Sequence, residues 1–481
     1  MEVNFVNEII NILKKPSKSD VELITRAFEF AKNAHTGQKR FSSEPYFAHP
    51  FETAKTLAHL QLDAKAIAAG LLHDIYEETG ITEKQMKKEF GDEISFLVAG
   101  VTKLGTLKYR GEERQVENLR KMFLAMAKDI RVILIKLADR LHNMKTLEHV
   151  PKEKQKRIAM ETIEIFAPLA NRLGMGELKG KLEDFAFPYA YPKEYEEATK
   201  ILKEKYEEKE RGLEKVKKEL QKELLENGLE DFKIDSRVKH LFSLFKKLQT
   251  PEVNMNMDKI YDLVAIRIVV KTIEDCYKIL GIIHKLWRPL PGRIKDYIAT
   301  PKANGYQSLH TTVFATDGLI TEIQIRTEKM HEEAEHGIAA HWAYTESGKP
   351  DEGGKFHPHL AWVNQLIGWQ AGVSGSKDFL ETLRIDFFKD RVLCFTPKGD
   401  VIDLPEGSTA IDFAYAVHSD IGNSAIGAVV NHKFVSLETI LKNGDIIKIK
   451  TQKNKKPSAE WLEHTKTTFA RKQIKSATRK N

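Results

Sequence analysis

The spacing of apolar residues divides the chain into regions of different character. Over residues 1–194 apolar side chains recur every three or four positions, as in "VELITRAFEFAKNAH" and "DIRVILIKLADRLHNMKTL", which predicts an all-helical domain. Residues 195–226 are heavily charged with a thin apolar stripe, a pattern typical of a solvated connecting helix. Beyond it, "YDLVAIRIVV", "HTTVFAT" and "LITEIQIRT" are rich in β-branched residues and predict strands. Residues 195–345 are therefore predicted to form a mixed α/β domain that includes the connecting helix.

The pattern changes again toward the C-terminus. Gly and Pro punctuate "ESGKPDEGGKFHP", so residues 346–387 are predicted to be a linker and a helix. Residues 388–451 form a small module, in which "RVLCFTPKGDVIDLP" predicts a hairpin and "STAIDFAYAVH" a short helix with Ser408 or Thr409 as its N-cap. Residues 452–481 form a basic tail. The predicted fold class is multidomain, with α and α/β parts.

Composition narrows the class of protein. The 481 residues contain two cysteines, Cys276 and Cys394, outside any CxxC pattern, which argues against a zinc site or a disulfide framework. No apolar run approaches the ~18 residues of a membrane-spanning helix, and the N-terminus lacks the features of a signal peptide, so we expect a cytoplasmic protein with no membrane partner. From Ile446 onward eleven Lys or Arg stand against two acids, in a chain of net charge +7. This indicates either a polyanionic partner or a solvated terminal segment.

The segment "LLHDIYEETG" at residues 71–80 places a His-Asp pair and two glutamates in an otherwise apolar helical stretch. On one continuous helix, His73 and Glu77 share a face, and Asp74 and Glu78 share the neighbouring face. Four ionisable groups at one end of a buried helix are costly unless they bind or react with something. An isolated His-Asp pair remains weak evidence for a metal, because such dipeptides commonly arise by chance.

Two further positions strengthen the metal hypothesis. One histidine follows the turn-forming "EPYFAHP", and on a later apolar helix Asp139, Asn143 and Thr146 fall on one face. A divalent metal that activates water needs several nitrogen or oxygen ligands and an open position. The order of these residues resembles the HD superfamily of metal-dependent phosphohydrolases. The candidate ligands are His49, His73, Asp74 and Asp139.

A second constellation begins in "IDSRVKHLFSLFKKL". This string predicts a helix that starts near Arg237, along which Lys239, Ser243 and Lys247 recur every four residues as a stripe of donors suited to a triphosphate. The alternative is an amphipathic helix with a basic face toward solvent.

Carboxylates on two predicted strands follow. In "TEIQIRT", Glu322 alternates with apolar residues onto one strand face, and with Asp262 it forms a candidate Mg²⁺ pair. The alternative is a half-buried strand with an ordinary polar face. Between the two carboxylates, Arg293 and Lys295 are suited to phosphates, and Tyr306 is suited to stacking on a base.

Several longer strings resemble one family over essentially the whole chain. "HTGQKRFSSEPYFAHP", "GVTKLG", "RKMFLAMAKDIRVILIKLADRLHNMKTL" and "IFAPLANRLGM" resemble the hydrolase domain of the long RelA/SpoT homologues, which make and hydrolyse the alarmones ppGpp and pppGpp in the stringent response. The resemblance implies that residues 1–194 are an HD-type hydrolase that binds Mn²⁺ through the four candidate ligands. It also implies that Glu77 and Glu78 position or activate water, and that the nucleotide contacts are Arg40, Asn143 and Thr146.

The same resemblance extends to residues 195–345. It implies a nucleotidyltransferase-like synthetase domain that moves the β,γ-pyrophosphate of ATP to the 3′-oxygen of GDP or GTP, and "RIKD" at 293–296 is similar to bifunctional members. Asp262 and Glu322 are the implied Mg²⁺ ligands, with Glu322 also the base for the 3′-hydroxyl. The implied ATP contacts are Arg237, Lys239, Ser243, Lys247 and Arg267. The implied contacts of the guanosine nucleotide are Arg293, Lys295, Asn304, Tyr306 and His310.

Residues 388–451 resemble a TGS domain, a small β-grasp-like fold, through "FTPKGDVIDLPEGSTAIDFAYAVHSDIG". In long family members this module reads the CCA end of uncharged tRNA on the ribosome, so deacylated tRNA and the ribosome are implied partners. His418 matches the first His of the family motif and is the implied tRNA contact, whereas Asn423 replaces the second. The alternative is a regulatory or packing module. Long members continue further, so we expect a truncated chain whose basic tail begins the next region.

Two positions depart from the family pattern near the metal site. Glu78 stands where Asp is usual, and Tyr76 stands where a small aliphatic residue is usual. A carboxylate displaced by about 1 Å can cost on the order of a hundredfold in rate. The rivals to a bifunctional enzyme are therefore a synthetase with a weakened hydrolase, a tRNA- or ribosome-binding stress sensor, and a generic HD phosphohydrolase that leaves residues 234–342 unexplained. Reciprocal control of the two activities is expected to act through helix 195–226 and the interdomain contacts.

Overall fold

The computed structural model describes residues 3–102, 112–251, 253–340, 383, 386, 388–389 and 391–479. They form two compact units: the first comprises residues up to 298 together with 307–340, and the second comprises 299–306 together with the described residues beyond 372. The predicted linker and helix at 346–387 lie outside the described residues except at 383 and 386. Within the first unit we call residues 3–190 the helical region and residues 192–340 the α/β region.

The helical region follows the predicted apolar spacing. Local signals start its helices: Ser17 forms a capping box with Asp20, and Thr82 forms one with Gln85. In chain order the helices are α1 Val3–Ile12, α2 Lys18–Ala34, α3 Ala48–His59, α4 Ala64–Leu72, α5 Ile75–Glu78, α6 Glu83–Val101, α7 Glu112–Lys128, α8 Arg131–Lys145, α9 Lys152–Glu161, α10 Ala167–Arg172 and α11 Gly176–Ala190.

Helix α8 is the buried centre of this region. Its apolar residues face every side, and a helix of that kind is stable only inside a protein. It packs against α3, α6 and α11. At its N-terminus the buried Arg131 guanidinium bonds three carboxylates at 2.6–2.8 Å, those of Asp63, Glu93 and Asp129. These contacts fix the helix that carries Asp139 and Asn143.

The expectation of one continuous helix through residues 71–80 is wrong. Helix α4 ends at Leu72 and α5 begins at Ile75, so His73 and Asp74 lie at a break and the predicted i,i+4 faces do not form. The His73 ring bonds the carbonyl of Gly70 at 2.8 Å, a local contact that competes with the helical backbone ladder. Gly70 also lets α4 approach α3, because a Cβ at this position would lie 2.4 Å from Leu57 Cδ1.

Helix α12, Pro192–Glu226, leads into the α/β region as predicted. Its stripe of Leu213, Val216, Leu220 and Leu224 is buried at spacings of three and four residues. These side chains belong to the same apolar core as the sheet. The helix is therefore a packed layer of the α/β region as well as a connector.

The α/β region is built on one mixed sheet. Its strands are β1 Phe232–Val238, β2 Val264–Val270, β3 Arg288–Pro289, β4 Lys295–Asp296, β5 Leu309–Phe314 and β6 Ile320–Thr327. They lie in the order β1-β2-β6-β5-β3, with β4 paired to β5. Strands β2 and β6 are parallel, and the remaining pairs are antiparallel. The helices are α13 Leu241–Leu248, α14 Ile273–Leu286 and α15 Glu328–His336.

The predicted helix starting near Arg237 is wrong in its first residues. Arg237 lies on β1, where it pairs with Ala265, and Lys239 lies in the turn before α13. Pairing with β2 provides backbone partners along all of β1, and this tertiary gain overrides the helical spacing of the lysines. The strands predicted at "YDLVAIRIVV", "HTTVFAT" and "LITEIQIRT" are confirmed as β2, β5 and β6.

After α15 the chain returns to the helical region. The Ile338 amide donates to the Leu173 carbonyl at 3.0 Å. Gly337 has φ +57°, and a Cβ at this position would lie 2.2 Å from the same carbonyl oxygen. Glycine is therefore required for this close approach of two backbones.

The second unit contains the predicted small module. Its elements are β7 Arg391–Phe395, β8 Val401–Pro405, α16 Ala410–Val417, α17 Ser419–Asn423, β9 Ala425–Val430, β10 Lys433–Val435, β11 Ile447–Thr451, α18 Trp461–His464 and α19 Thr468–Arg479. The hairpin β7–β8 is confirmed, and Thr409 rather than Ser408 is the N-cap of α16. Ala470 and Ile474 of α19 are buried in the core of this module, so this part of the basic tail is packed. Among the described helices, none has the length and apolarity to span a bilayer.

Candidate active sites

Four side chains predicted as metal ligands converge in the helical region: His49 on α3, His73 and Asp74 at the α4–α5 break, and Asp139 on α8. His49 Nε2 lies 3.2 Å from His73 Nε2 and 3.1 Å from Asp139 Oδ1. His73 Nε2 lies 3.2 Å from Asp74 Oδ1. The ligand atoms of His49, His73 and Asp74 all lie within 4.8 Å of one another, close enough to hold one metal ion.

Hydrogen bonds around this cluster determine which ring nitrogens carry protons. The Gly70 carbonyl can only accept, so His73 Nδ1, 2.8 Å away, donates and His73 Nε2 keeps a lone pair. Arg40 can only donate, so His142 Nδ1, 3.1 Å from Arg40 Nη1, is an acceptor. His49 Nδ1 lies 2.8 Å from that acceptor and is therefore the donor, which leaves a lone pair on His49 Nε2 as well. The two lone pairs, 3.2 Å apart, repel each other unless a cation lies between them, so the residues present fit a metal ion.

The electrostatics favour the metal-binding protonation states. Burial raises the pKa of Asp139, but Lys136, with its Nζ 2.6 Å from Asp139 Oδ2, and His49 lower this pKa well below its usual range. Burial also raises the pKa of Asp74, and the neighbouring histidines lower it overall. Burial lowers the pKa of His49. Ionised carboxylates and neutral imidazoles are the forms that bind a divalent cation.

A cavity of about 1150 Å³ adjoins Asp139. Its lining includes the predicted Arg40, Asn143 and Thr146, and Asn143 Nδ2 donates to Asp139 Oδ1 at 2.6 Å. Because cations dominate the lining, the cavity favours a polyanion of nucleotide size. Its acidic residues are Asp139 and Glu161, and its Lys and Arg residues are Arg40, Lys121, Lys128, Lys136, Arg140, Lys154 and Arg157.

The two glutamates after the His-Asp pair are exposed on α5. The Glu78 backbone carbonyl accepts from Gln38 Nε2 at 2.7 Å, which fixes the backbone of this turn. The Tyr76 hydroxyl hydrogen-bonds Ser95 Oγ of α6 at 2.9 Å. The aromatic ring that departs from the family pattern is thus held by α6 and not by the four candidate ligands.

The register of the sheet brings most of the second predicted set to one face. Directly paired residues on neighbouring strands point to the same side. Ala265, two positions from Arg267, pairs with Arg237 on β1 and with Glu322 on β6. His310 pairs with Lys295 on β4 and with Gln324, the partner of Arg267, on β6. The opposite face carries the apolar core. The polar face therefore presents Arg237, Arg267, Lys295, His310 and Glu322.

The two candidate Mg²⁺ carboxylates are both ionised. Asp262 precedes β2, and its two oxygens each lie 2.7 Å from a lysine amine, that of Lys239 or Lys247. Burial raises the pKa of Asp262, but these lysines lower it far below its usual range. Burial likewise raises the pKa of Glu322, and His310, with Nδ1 at 3.2 Å, lowers it overall. A buried acidic pair ringed by cations suits a magnesium–triphosphate complex.

Other predicted residues take different places. Arg293 lies over the Tyr261 ring at 5.6 Å from its centroid, next to Asp262 in sequence. Ser243 does not join the lysines at Asp262, since its hydroxyl is 3.5 Å from Glu183 of α11. Asn304 and Tyr306 belong to the 299–306 segment of the second unit, where the Tyr306 amide donates to Asn304 Oδ1 at 3.3 Å.

Known proteins match both sites and the small module. Residues 27–176 match the family described as "HD domain", residues 236–349 match "Region found in RelA / SpoT proteins", and residues 392–451 match "TGS domain". A GTP pyrophosphokinase of Myxococcus xanthus is 46% identical over 464 residues, which are 95% of this chain and 60% of the relative. This chain is a RelA/SpoT homologue.

Two further relatives carry the name of the opposite activity. A probable guanosine-3′,5′-bis(diphosphate) 3′-pyrophosphohydrolase of Synechocystis is 47% identical over 456 residues, 94% of this RelA/SpoT homologue and 60% of the relative. A guanosine-3′,5′-bis(diphosphate) 3′-pyrophosphohydrolase of Aquifex aeolicus is 47% identical over 459 residues, 95% of this chain and 65% of the relative. The chain thus spans 60–65% of the length of these three curated relatives.

In the TGS module of this RelA/SpoT homologue, the His418 side chain is 63% exposed. Its Nδ1 accepts from the Asp420 amide at 3.2 Å and so caps α17. Asn423, which replaces the second motif histidine, accepts from the Tyr415 hydroxyl at 3.0 Å. Asn423 therefore supports the module internally, and His418 is the motif residue that faces solvent.

The structure adds residues that the sequence of this RelA/SpoT homologue did not single out. His142 is a neighbour of Asn143 on α8, and this adjacency to a predicted site residue was its only signal. Glu335 of α15 lies 3.3 Å from Arg267 Nη1 and 2.9 Å from Arg326 Nη2, and thus holds the predicted adenine-binding arginine. No local pattern marks Glu335, because its pairing arises only from the fold.

Proposed function

We propose that this chain is a bifunctional enzyme of (p)ppGpp metabolism. It transfers pyrophosphate from ATP to the 3′-hydroxyl of GDP or GTP, and it hydrolyses the 3′-pyrophosphate of the product. The observation that carries this proposal is the presence of two distinct constellations, each with ionised carboxylates beside clustered cations. The relatives support it, since their names include both a pyrophosphokinase and a 3′-pyrophosphohydrolase.

In the hydrolase site, the four converging side chains would hold a divalent cation, which we propose to be Mn²⁺. Such a cation lowers the pKa of bound water and neutralises charge on the pyrophosphate. Glu77 and Glu78, exposed beside the cluster, accept the proton of the attacking water. The cations of the adjoining cavity bind the phosphates, and the nucleotide is positioned by Arg40, Asn143 and Thr146. The metal ligands are His49, His73, Asp74 and Asp139.

In the synthetase site, the 3′-oxygen of the guanosine nucleotide attacks the β-phosphorus of ATP, and AMP leaves. Glu322 accepts the hydroxyl proton and, with Asp262, would hold Mg²⁺. Catalysis of this reaction is largely positioning and charge neutralisation. Lys239 and Lys247 exchange part of their contact with Asp262 for phosphate oxygens. Adenine lies between Arg237 and Arg267, Ser243 assists with the phosphates, and the guanosine nucleotide is bound by Arg293, Lys295, Asn304, Tyr306 and His310.

Paired assays test the two activities separately. The chain is incubated with ATP, GDP and Mg²⁺ for synthesis, and with ppGpp and Mn²⁺ for hydrolysis. Glu322→Gln is expected to abolish synthesis and spare hydrolysis, and Asp74→Asn is expected to do the reverse. Loss of both activities in either variant, with an unchanged thermal unfolding profile, would contradict the assignment of two independent sites. Synthesis without any Mn²⁺-dependent hydrolysis would favour a synthetase with a weakened hydrolase.

A second function is binding of deacylated tRNA by the second unit. The solvent-facing His418 and the lysine-rich segment beyond Ile447 support it, because phosphate contacts by lysines bind nucleic acid. Filter binding of deacylated tRNA across a salt series tests this proposal. Affinity should fall steeply with salt, and His418→Ala should weaken it. Salt-independent or undetectable binding would contradict it.

A further inference from the structure

Helix α13 begins without a capping side chain of its own. Its N-cap residue is His240, whose side chain makes no capping hydrogen bond. A side-chain oxygen normally accepts from the second or third amide of a helix at this place. Asp184 of α11 supplies that oxygen, since its Oδ1 accepts from the Phe242 amide at 3.0 Å. The first turn of a helix in the α/β region is therefore capped by a residue of the helical region.

The second oxygen of Asp184 holds His240 itself. Asp184 Oδ2 lies 2.7 Å from His240 Nδ1, and Glu177 Oε2 lies 3.8 Å from His240 Nε2. The ring lies directly on Gly180, where a Cβ would be 2.2 Å from His240 Nε2. The two acids raise the pKa of His240 to about 9, so the ring is cationic near neutral pH. Helix α11 thus offers a fitted site for this one side chain.

The remainder of α13 packs against the same helix. The Phe187 ring of α11 has its centroid 5.0 Å from that of Phe242 and 5.2 Å from that of Phe245. Glu183 is 1% exposed, and its carboxylate lies 3.6 Å from Lys246 Nζ. Rings at this distance add to apolar burial, so the contact involves packing as well as charge.

The segment held in this way carries the proposed phosphate ligands of ATP. Lys239 precedes His240, and Lys247 lies in the last turn of α13; both amines reach Asp262 from this segment. A shift of the helix start therefore moves both amines together. Helix α11 also packs against α8, which carries Asp139 of the hydrolase cluster. One helix thus touches an element of each proposed site.

We propose that Asp184 and His240 are positioning residues of the synthetase reaction, through which α11 holds the ATP-phosphate segment 239–247 in place. This inference rests on the proposed function of the α/β region. It assigns part of the synthetase machinery to the helical region, outside the predicted synthetase boundary at residue 195. It also places the contact between the two activities at α11 and α13, in addition to the connecting helix α12.

Three variants and one matched control test the positioning role in the full chain. Asp184→Ala removes both contacts, Asp184→Asn keeps the capping oxygen, and Gly180→Ala displaces the His240 ring without changing an ionisable group. Gly281→Ala is the control, because a Cβ at that helical glycine meets nothing within 4 Å. The measurements are KM for ATP, kcat of synthesis, the rate of ppGpp hydrolysis and thermal unfolding.

Asp184→Ala and Gly180→Ala are expected to raise KM for ATP by about tenfold, the equivalent of losing one helix cap, with a smaller change in kcat. Asp184→Asn should recover part of the loss, and Gly281→Ala should match the unaltered chain. An unchanged KM in folded Asp184→Ala and Gly180→Ala overturns the proposal. An equal loss of both activities together with a lowered unfolding temperature also overturns it, because that result indicates a structural role only.

Failure of the proposed function has a different signature. If the unaltered chain makes no ppGpp, the synthetase assignment fails. Titration with a non-hydrolysable ATP analogue and Mg²⁺ then decides the positioning role alone. Weaker binding by Asp184→Ala than by Gly281→Ala supports it, and equal binding by these two variants, or no binding by the unaltered chain, overturns it.

Discussion

Replacement of His142 by leucine tests the proton assignment at the hydrolase cluster. Leucine preserves apolar contacts at this buried position but removes the acceptor that lies 2.8 Å from His49 Nδ1. A buried donor without a partner costs about 1–3 kcal/mol. His49 avoids this cost by turning or by moving its proton to Nε2, and either change removes the lone pair aimed at the metal. Loss of such a supporting partner typically lowers metal affinity about 10–100-fold.

The assay is calorimetric titration of the metal-free chain with Mn²⁺. His142→Leu should bind Mn²⁺ about 10–100-fold more weakly, a loss of about 1.4–2.8 kcal/mol. His142→Gln should recover part of the affinity because its amide oxygen is again an acceptor. His59→Asn is the control, since His59 is an exposed histidine on the same helix as His49. Unchanged Mn²⁺ affinity in folded His142→Leu would refute the relay from Arg40 through His142 to His49.

Three further predictions concern the reach of Glu78, the buried Arg131 and the charge on His240. Glu78→Asp should raise the rate of Mn²⁺-dependent ppGpp hydrolysis if the longer side chain misplaces its carboxylate, by up to about a hundredfold; an unchanged rate shows that Glu78 already reaches the water. Arg131→Met leaves three carboxylates without their shared cation and should lower the free energy of unfolding in urea by about 3–5 kcal/mol, whereas an unchanged midpoint contradicts this. The pKa of His240 is raised from 6.5 to about 9, so its contact stabilises fully below pH 6.5 and is lost as the pH rises through 9. The stability gap between the unaltered chain and His240→Gln, at most about 3 kcal/mol, should therefore close over this interval, and a constant gap argues against an ionic contact.

Periodic signals predicted the elements whose faces are uniform. Helix α8 and strands β2, β5 and β6 are long, regular and apolar on their buried sides, so local spacing is sufficient to define them. The metal ligands were predictable for a different reason: few residue types bind metals, and they stand out in an apolar context. Strand β1 was missed because its spacing fits a helix equally well, and only the pairing with β2 decides between the two.

The supporting residues could not be predicted from local pattern. The break between His73 and Asp74 depends on a side chain bonding a carbonyl three residues earlier, which leaves no trace in helical periodicity. Lys121, Lys154 and Arg157 resemble ordinary solvated lysines and arginines in sequence, and they become cavity residues only when α7 and α9 surround Asp139. Asp184 is likewise an unremarked acid until α13 is placed beside it.

The return of the chain at Ile338 to the Leu173 carbonyl closes a loop of polypeptide around the α/β region. The two regions are therefore joined at two points, at α11–α12 and again at Gly337–Ile338. Neither region is a contiguous piece that ends at a free linker. A single cut in α12 leaves both tethered at high local concentration, so evolution or engineering must reseal two backbone junctions to separate this pair of opposed enzymes.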